Sequence, residues 1–210
     1  LLGPERLRGL LNDTFGYGIE VPDAAFGHDP RLEDALPMVK RLAEAARAAD
    51  REFGVKLSNT LEVVNHRPVF PPHEKMMYMS GRALHPLTLT LARLVDEEND
   101  GRVPISFCGG ADAWNFADLV ADGVAPITVC TDLLKPGGYS RLQQYLTNLG
   151  AAMTAAGAGS LDTFVEKTSG GRGRRWNLAR HLERVVSDGR GGRFARRERP
   201  LVFKGNRSLG

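Results

Sequence analysis

Four short apolar runs, each closed by turn residues and each leading into a helical pattern, constrain this chain more than any other feature. They occupy residues 17–21, 53–57, 103–108 and 126–130. A strand with one wet face alternates apolar and polar residues, whereas a near-continuous run fits a strand covered on both faces. Between the runs, apolar residues recur at helical spacing. Leu32, Leu36, Val39, Leu42, Ala43 and Ala46 form one stripe within 30–51, and Leu84, Leu87, Leu91 and Leu94 form another within 82–97. Asp29 is placed as the N-cap of the first and Pro30 as its first residue. Shorter helices are predicted over 113–121, closed by Gly123, and over 139–153, after the Pro136-Gly137-Gly138 breaker. Strand and helix in alternation predict an α/β architecture on a parallel sheet.

Beyond about residue 150 the character changes. The stretches 155–159, 169–173 and 189–192 are small or Gly-rich, with one helix predicted over 177–187. The reading is therefore a folded domain over 1–150 and a basic linker or docking extension over 151–210, without a core of its own. From Lys167 to Gly210 there are 13 Lys and Arg against 3 Asp and Glu, while the rest of the chain has 15 against 22. A basic end beside an acidic body suits nucleic acid, an anionic surface or an acidic partner domain. Only Trp176, Phe194 and Phe203 interleave with these charges, too few for a single-strand binder, so a partner within the same assembly is expected instead. No apolar run approaches the roughly 18 residues that span a bilayer. The opening Leu1-Leu2-Gly3-Pro4 lacks a signal-peptide layout and reads as a chain entered in mid-domain. Cys108 and Cys130 both sit in apolar runs, which suggests core thiols in a reduced, cytoplasmic compartment.

Three places carry chemistry. Gly109-Gly110 ends the third run and Thr131-Asp132 the fourth, each at a loop that opens a helix. Glycine lets backbone approach a ligand closely, and amides at helix starts favour anions. In a (β/α)8 barrel the loops after the last two strands frequently form a phosphate site, so two matched loops point to phosphate. Next, Lys56 interrupts an apolar run that ends in Ser58-Asn59-Thr60. It either meets a ligand or carboxylate, or snorkels to the barrel rim. Finally, Met76, Met77 and Met79 precede Ser80-Gly81-Arg82, where Ser80 is placed to cap the next helix. The methionines either pack on a flat ring or form a lid. His66, His73 and His85 have no zinc spacing, and no nucleophile elbow or Walker loop is present.

Taken together, residues 55–60, 78–86, 104–111 and 131–139 occur in an order and with motifs that resemble the selenate reductase flavin/iron–sulfur subunit, a glutamate-synthase-like family. The resemblance covers roughly residues 1–150. Lys204 to Gly210 is similar to the segment before that family's cysteine-rich module. More distantly, the chain is similar to the FMN barrels of dihydropyrimidine and dihydroorotate dehydrogenases. The resemblance implies the C-terminal half of a (β/α)8 TIM barrel in an oxidoreductase. It implies FMN held by Lys56, Asn59, Thr60, Ser80, Gly81, Gly109, Gly110, Thr131 and Asp132, with the catalytic acid or base outside this chain. The implied partners are the remaining half of the barrel and an iron–sulfur/FAD module served by NAD(P)H, which would exchange electrons with the FMN. A flavin-free barrel acting as a scaffold or docking domain is the alternative.

Overall fold

The computed structural model describes residues 2–27, 29–66 and 70–195. Helix α1 (Pro4–Arg8) runs into a π-helical turn (Gly9–Thr14), and α2 (Ala24–Gly27) and α3 (Leu32–Ala48) follow. Strand β1 (Val55–Leu57) leads to the hairpin β2 (Leu61–Val64) and β3 (Met76–Met79). A 3-10 turn (Gly81–Leu84) then opens α4 (His85–Glu98), before β4 (Ile105–Cys108), α5 (Phe116–Ala121) and β5 (Ile127–Thr128). Two more 3-10 turns (Thr131–Leu134 and Gly138–Arg141) precede α6 (Leu142–Ala155), α7 (Leu161–Ser169) and α8 (Arg174–Asp188).

Strands β1, β4 and β5 form a parallel sheet in that order, while β2 and β3 pair antiparallel with each other. Lys56 lies opposite Ser106, Leu57 opposite Phe107 and Cys108 opposite Thr128. Because side chains alternate across a strand, Leu57, Ile105 and Phe107 share one face. They are buried in a core with Leu89, Ala92 and Val95 of α4, Leu119 of α5 and Leu178, Leu182 and Val185 of α8. The opposite face carries Lys56, Ser106, Cys108 and Thr128, all exposed or half-buried. Burial on both faces, the expectation from the apolar runs, therefore does not hold among the described residues. The strands are shorter than the runs, and Phe53, Val103 and Val129, which made the runs look continuous, fall outside them.

The first of the four runs, 17–21, is not a strand. A ladder-like bond runs from Val64 N to Glu20 O, and Val21 packs in a second apolar cluster with Leu7, Leu11, Val63, Leu84 and Leu87. Met77 and Met79 border that cluster. Helix α3 starts at Leu32 with Arg31 as its N-cap, downstream of Asp29 and Pro30. Of its stripe, Ala43 is buried, Leu32, Leu36, Val39 and Ala46 are half-buried and Leu42 is open. Gly123 adopts the left-handed conformation (φ +70) just past the Asp122 cap and ends α5 as expected.

The larger departure concerns residues 151–195. Helix α7 begins with a capping box, in which Thr163 N donates to Ser160 Oγ and Ser160 N to Thr163 Oγ1. The glycines at 170, 171 and 173, all at positive φ, turn the chain back, and α8 buries Asn177, Leu178, His181, Leu182 and Val185. This part is a helical layer of the domain and not a linker. The remaining basic residues of the predicted extension, 196–210, lie outside the described residues. No described helix is long and apolar enough to cross a membrane.

Candidate functional site

The three parallel strands end side by side, so the loops that leave them meet. Ser58, after β1, donates from its amide to Cys108 O at 2.7 Å, and its Oγ lies 2.7 Å from Thr88 Oγ1 of α4. Gly109 sits against this knot, where a Cβ would come within 2.6 Å of Thr88 Oγ1. A Cβ on Gly110 (φ +68) would meet Gly81 O at 2.7 Å and Arg82 Cα at 2.8 Å. A Cβ on Gly81 would in turn meet Thr131 Cγ2 at 2.9 Å. The turns at 80–82, 109–111 and 131 thus touch one another at the C-terminal end of the sheet. Among the described residues, the amides of Gly81, Arg82, Gly110, Ala111 and Thr131 donate to no protein acceptor. Unpaired backbone donors gathered from touching loops suit an anion.

The sequence places the Gly110 backbone close to a phosphate, with no room there for a Cβ. The space beside it is filled by the Gly81–Arg82 backbone, so glycine is required there by chain packing on chain. Lys56 stands on the open sheet face beside Ser106, with no ion pair or hydrogen bond among the described residues, so neither burial nor a carboxylate accounts for it. Asn59, Thr60, Ser80 and Thr131 are exposed, and Gly81 and Gly109 are buried. Ser80 occupies the cap position of its 3-10 turn, but its side chain makes no capping bond.

Asp132 turns inward instead. Its carboxylate accepts from Lys135 Nζ (2.7 Å), Arg141 Nε (3.0 Å) and Tyr145 Oη (2.9 Å). Burial opposes its charge, but the bonds from Arg141, Lys135 and Tyr145 outweigh this and hold the carboxyl at about 2. With its acceptors engaged, Asp132 braces the loop after β5 and does not present a ligand group.

The sequence reading missed a set of buried polar residues behind the loops. Asn115 Oδ1 accepts from Asp112 N (2.8 Å), and its Nδ2 donates to Gly110 O (3.0 Å). Asp112 is paired with Arg193. His85 is fully buried, and its Nε2 has no partner among the described residues. Burial, then the charge of His181, push its pKa well below the usual value. His181 Nδ1 lies 2.6 Å from Asp122 Oδ2, where burial raises the carboxyl despite the hydrogen bond to His181. Asp112 and Asn115 follow the Gly-Gly pair at the start of a helix, the one signal that marked them in advance.

Residues 1–171 match the family described as oxidoreductase YgfK, N-terminal TIM-barrel domain. The chain belongs to this family. Two similar relatives bear the name "Putative oxidoreductase YgfK", one from Escherichia coli strain K12 and one from Escherichia coli O157:H7. Each is 45% identical over 150 residues, which are 71% of this chain and 14% of the relative. The chain therefore spans about 14% of the length of these curated relatives. No solved structure matches it. In this family of oxidoreductases the parallel strands belong to a TIM barrel, and the touching loops lie at the C-terminal ends of its strands, the end that carries active sites in barrels.

Proposed function

We propose that this domain is the FMN-binding part of a multi-cofactor oxidoreductase. The observation that carries the proposal is the cluster of unpaired amides from three touching loops at the strand C-termini, next to a polar sheet face bearing the unpartnered Lys56. The donor set fits the group. Gly110, Ala111 and Thr131 supply backbone donors to a phosphate, and Lys56 supplies a cation on the face where the ring system would lie. Bound FMN would supply the electron-carrying chemistry, and the protein would orient it and limit water access. Asn59, Thr60 and Ser80 offer side-chain donors and acceptors around it. Asp132 acts only through the loop it braces.

The far edges of β1 and β5 pair with no described strand, which supports completion of the barrel by the remaining strands of a longer protein. Trp114, Leu134 and Tyr139 are 71–81% exposed, and their apolar surface favours docking of a further module, for which an iron–sulfur/FAD unit is the reading that suits electron transfer. Parallel titrations with FMN and riboflavin, followed by quenching of flavin fluorescence, test the cofactor. FMN binding well above riboflavin is expected. Equal binding of both would remove the phosphate site, and binding of neither would remove the flavin.

A further inference from the structure

The loop that bears the unpaired amides is held from behind by a segment far along the chain. Arg193 donates to the Asp112 carboxylate. Tyr17 Oη donates to Phe194 O at 2.6 Å, and Arg190 donates to Asn12 O (3.1 Å) and Asp13 O (3.3 Å), which fixes the start of the segment. The Phe194 ring is buried against His85, the first residue of α4. Arg82, beside the amide cluster, reaches the carbonyl of Arg193 at 3.5 Å.

Contacts run from this segment to the amides without a gap. Arg193 holds the Asp112 side chain, and Asn115 clamps the Asp112 amide. The same Asn115 holds Gly110 O and so sets the plane of the Gly110–Ala111 peptide, whose N–H is one of the unpaired donors. Asp112 is 5% exposed, so a variant without Arg193 leaves a buried carboxylate lacking its cation, a state the loop relieves by moving.

We infer that Arg193 is a positioning residue for the 109–115 loop, so that seating of segment 192–195 and the anion-binding shape of the loop depend on each other. The inference rests on the anion reading above for its functional meaning, and on the contacts alone for its structural part. By linkage, an anion that orders the loop also favours the seated segment.

The test is amide hydrogen exchange on the whole chain, with inorganic phosphate as the probe. Arg193→Ala is expected to speed exchange at 110–115 by about tenfold while β4 and the middle of α8 keep their protection. Arg193→Lys is expected to restore much of the loss, and phosphate is expected to slow exchange at both 110–115 and 192–195 in the unaltered protein. Unchanged loop exchange in Arg193→Ala overturns the inference. So does a rise spread evenly over α4 and α8, which is the mark of global destabilisation. If Arg193→Ala does not fold, Arg193→Gln, which removes the cation at smaller change of volume, and Phe194→Leu carry the same comparison. A loosened loop in the variant, with no phosphate protection in the unaltered protein, upholds the positioning role and removes the phosphate reading instead.

Discussion

The rings of His85 and Phe194 stack with centroids 4.3 Å apart and planes 5° from parallel. The pair joins the first turn of α4 to the segment after α8, and the rings of Phe107 and His181 stand tilted to the imidazole with centroids 5.3 and 5.4 Å from its own. Phe194→Ala removes the lid of a fully buried imidazole and opens a cavity in the main core. A loss of about 3–5 kcal/mol is expected, read from denaturant unfolding, with Phe194→Leu costing less.

The same imidazole makes the fold acid-sensitive. His85 has its pKa well below the ordinary value, first through burial and then through the charge of His181, with Arg193 and Arg184 adding to it against the opposing influence of the Gly109 backbone. The unfolded chain takes up a proton near pH 6.5 that the folded chain refuses. Stability from this group is therefore complete above about pH 6.5 and declines as the pH falls below it. Tm measured from pH 7 to pH 5 is expected to fall, and His85→Phe is expected to flatten that slope. An equal slope in the variant would assign the sensitivity to other groups.

Asp132 gives a second, lower window. Its folded pKa of about 2 lies below the unfolded value, so its contribution is present above about pH 4 and lost as the pH drops towards 2. Asp132→Asn is expected to cost roughly 1–2 kcal/mol at neutral pH, and to erase the difference between the two proteins near pH 2. Urea midpoints at pH 7 and pH 2.5 supply the comparison.

Gly110→Ala forces a Cβ against the Gly81 carbonyl while the residue keeps a left-handed backbone. Overpacking costs about 1–3 kcal/mol and the left-handed conformation about 1 kcal/mol more. The variant is expected to unfold at lower denaturant whether or not flavin is present. Wild-type stability without flavin, joined to lost flavin binding, would show that the site beside Gly110 belongs to the ligand after all.

Helix α8 offers a simpler measurement. Leu182 is 7% exposed in the core shared with Leu89 and Phe107, so Leu182→Ala is expected to destabilise the whole domain by about 2–5 kcal/mol. A linker residue at that position would cost almost nothing.

What could be seen in the sequence followed local rules. The order of strands and helices showed because Gly123 and the 136–138 breaker punctuate it and because Leu87, Leu91 and Leu94 keep a helical period. The three loops of the site were visible for the same reason, since each follows a strand directly. Long-range facts were not visible. Whether Gly110 faces a ligand or another backbone depends on where Gly81 lies in space. Likewise, the stripe Leu178, His181, Leu182 and Val185 is regular, but the charges and glycines around it outweighed that signal, and only the position of α4 shows what it covers. Asp132 looked like a binding group because nothing local announces that Arg141 and Tyr145 return to it.

The sheet face without helices has a practical side. A surface of lysine, serine, cysteine and threonine is content in water, so the domain carries little greasy area there to drive clumping. The far borders of β1 and β5, which pair with no described strand, run for only three and two residues. Borders that short give a stray strand little to zip onto.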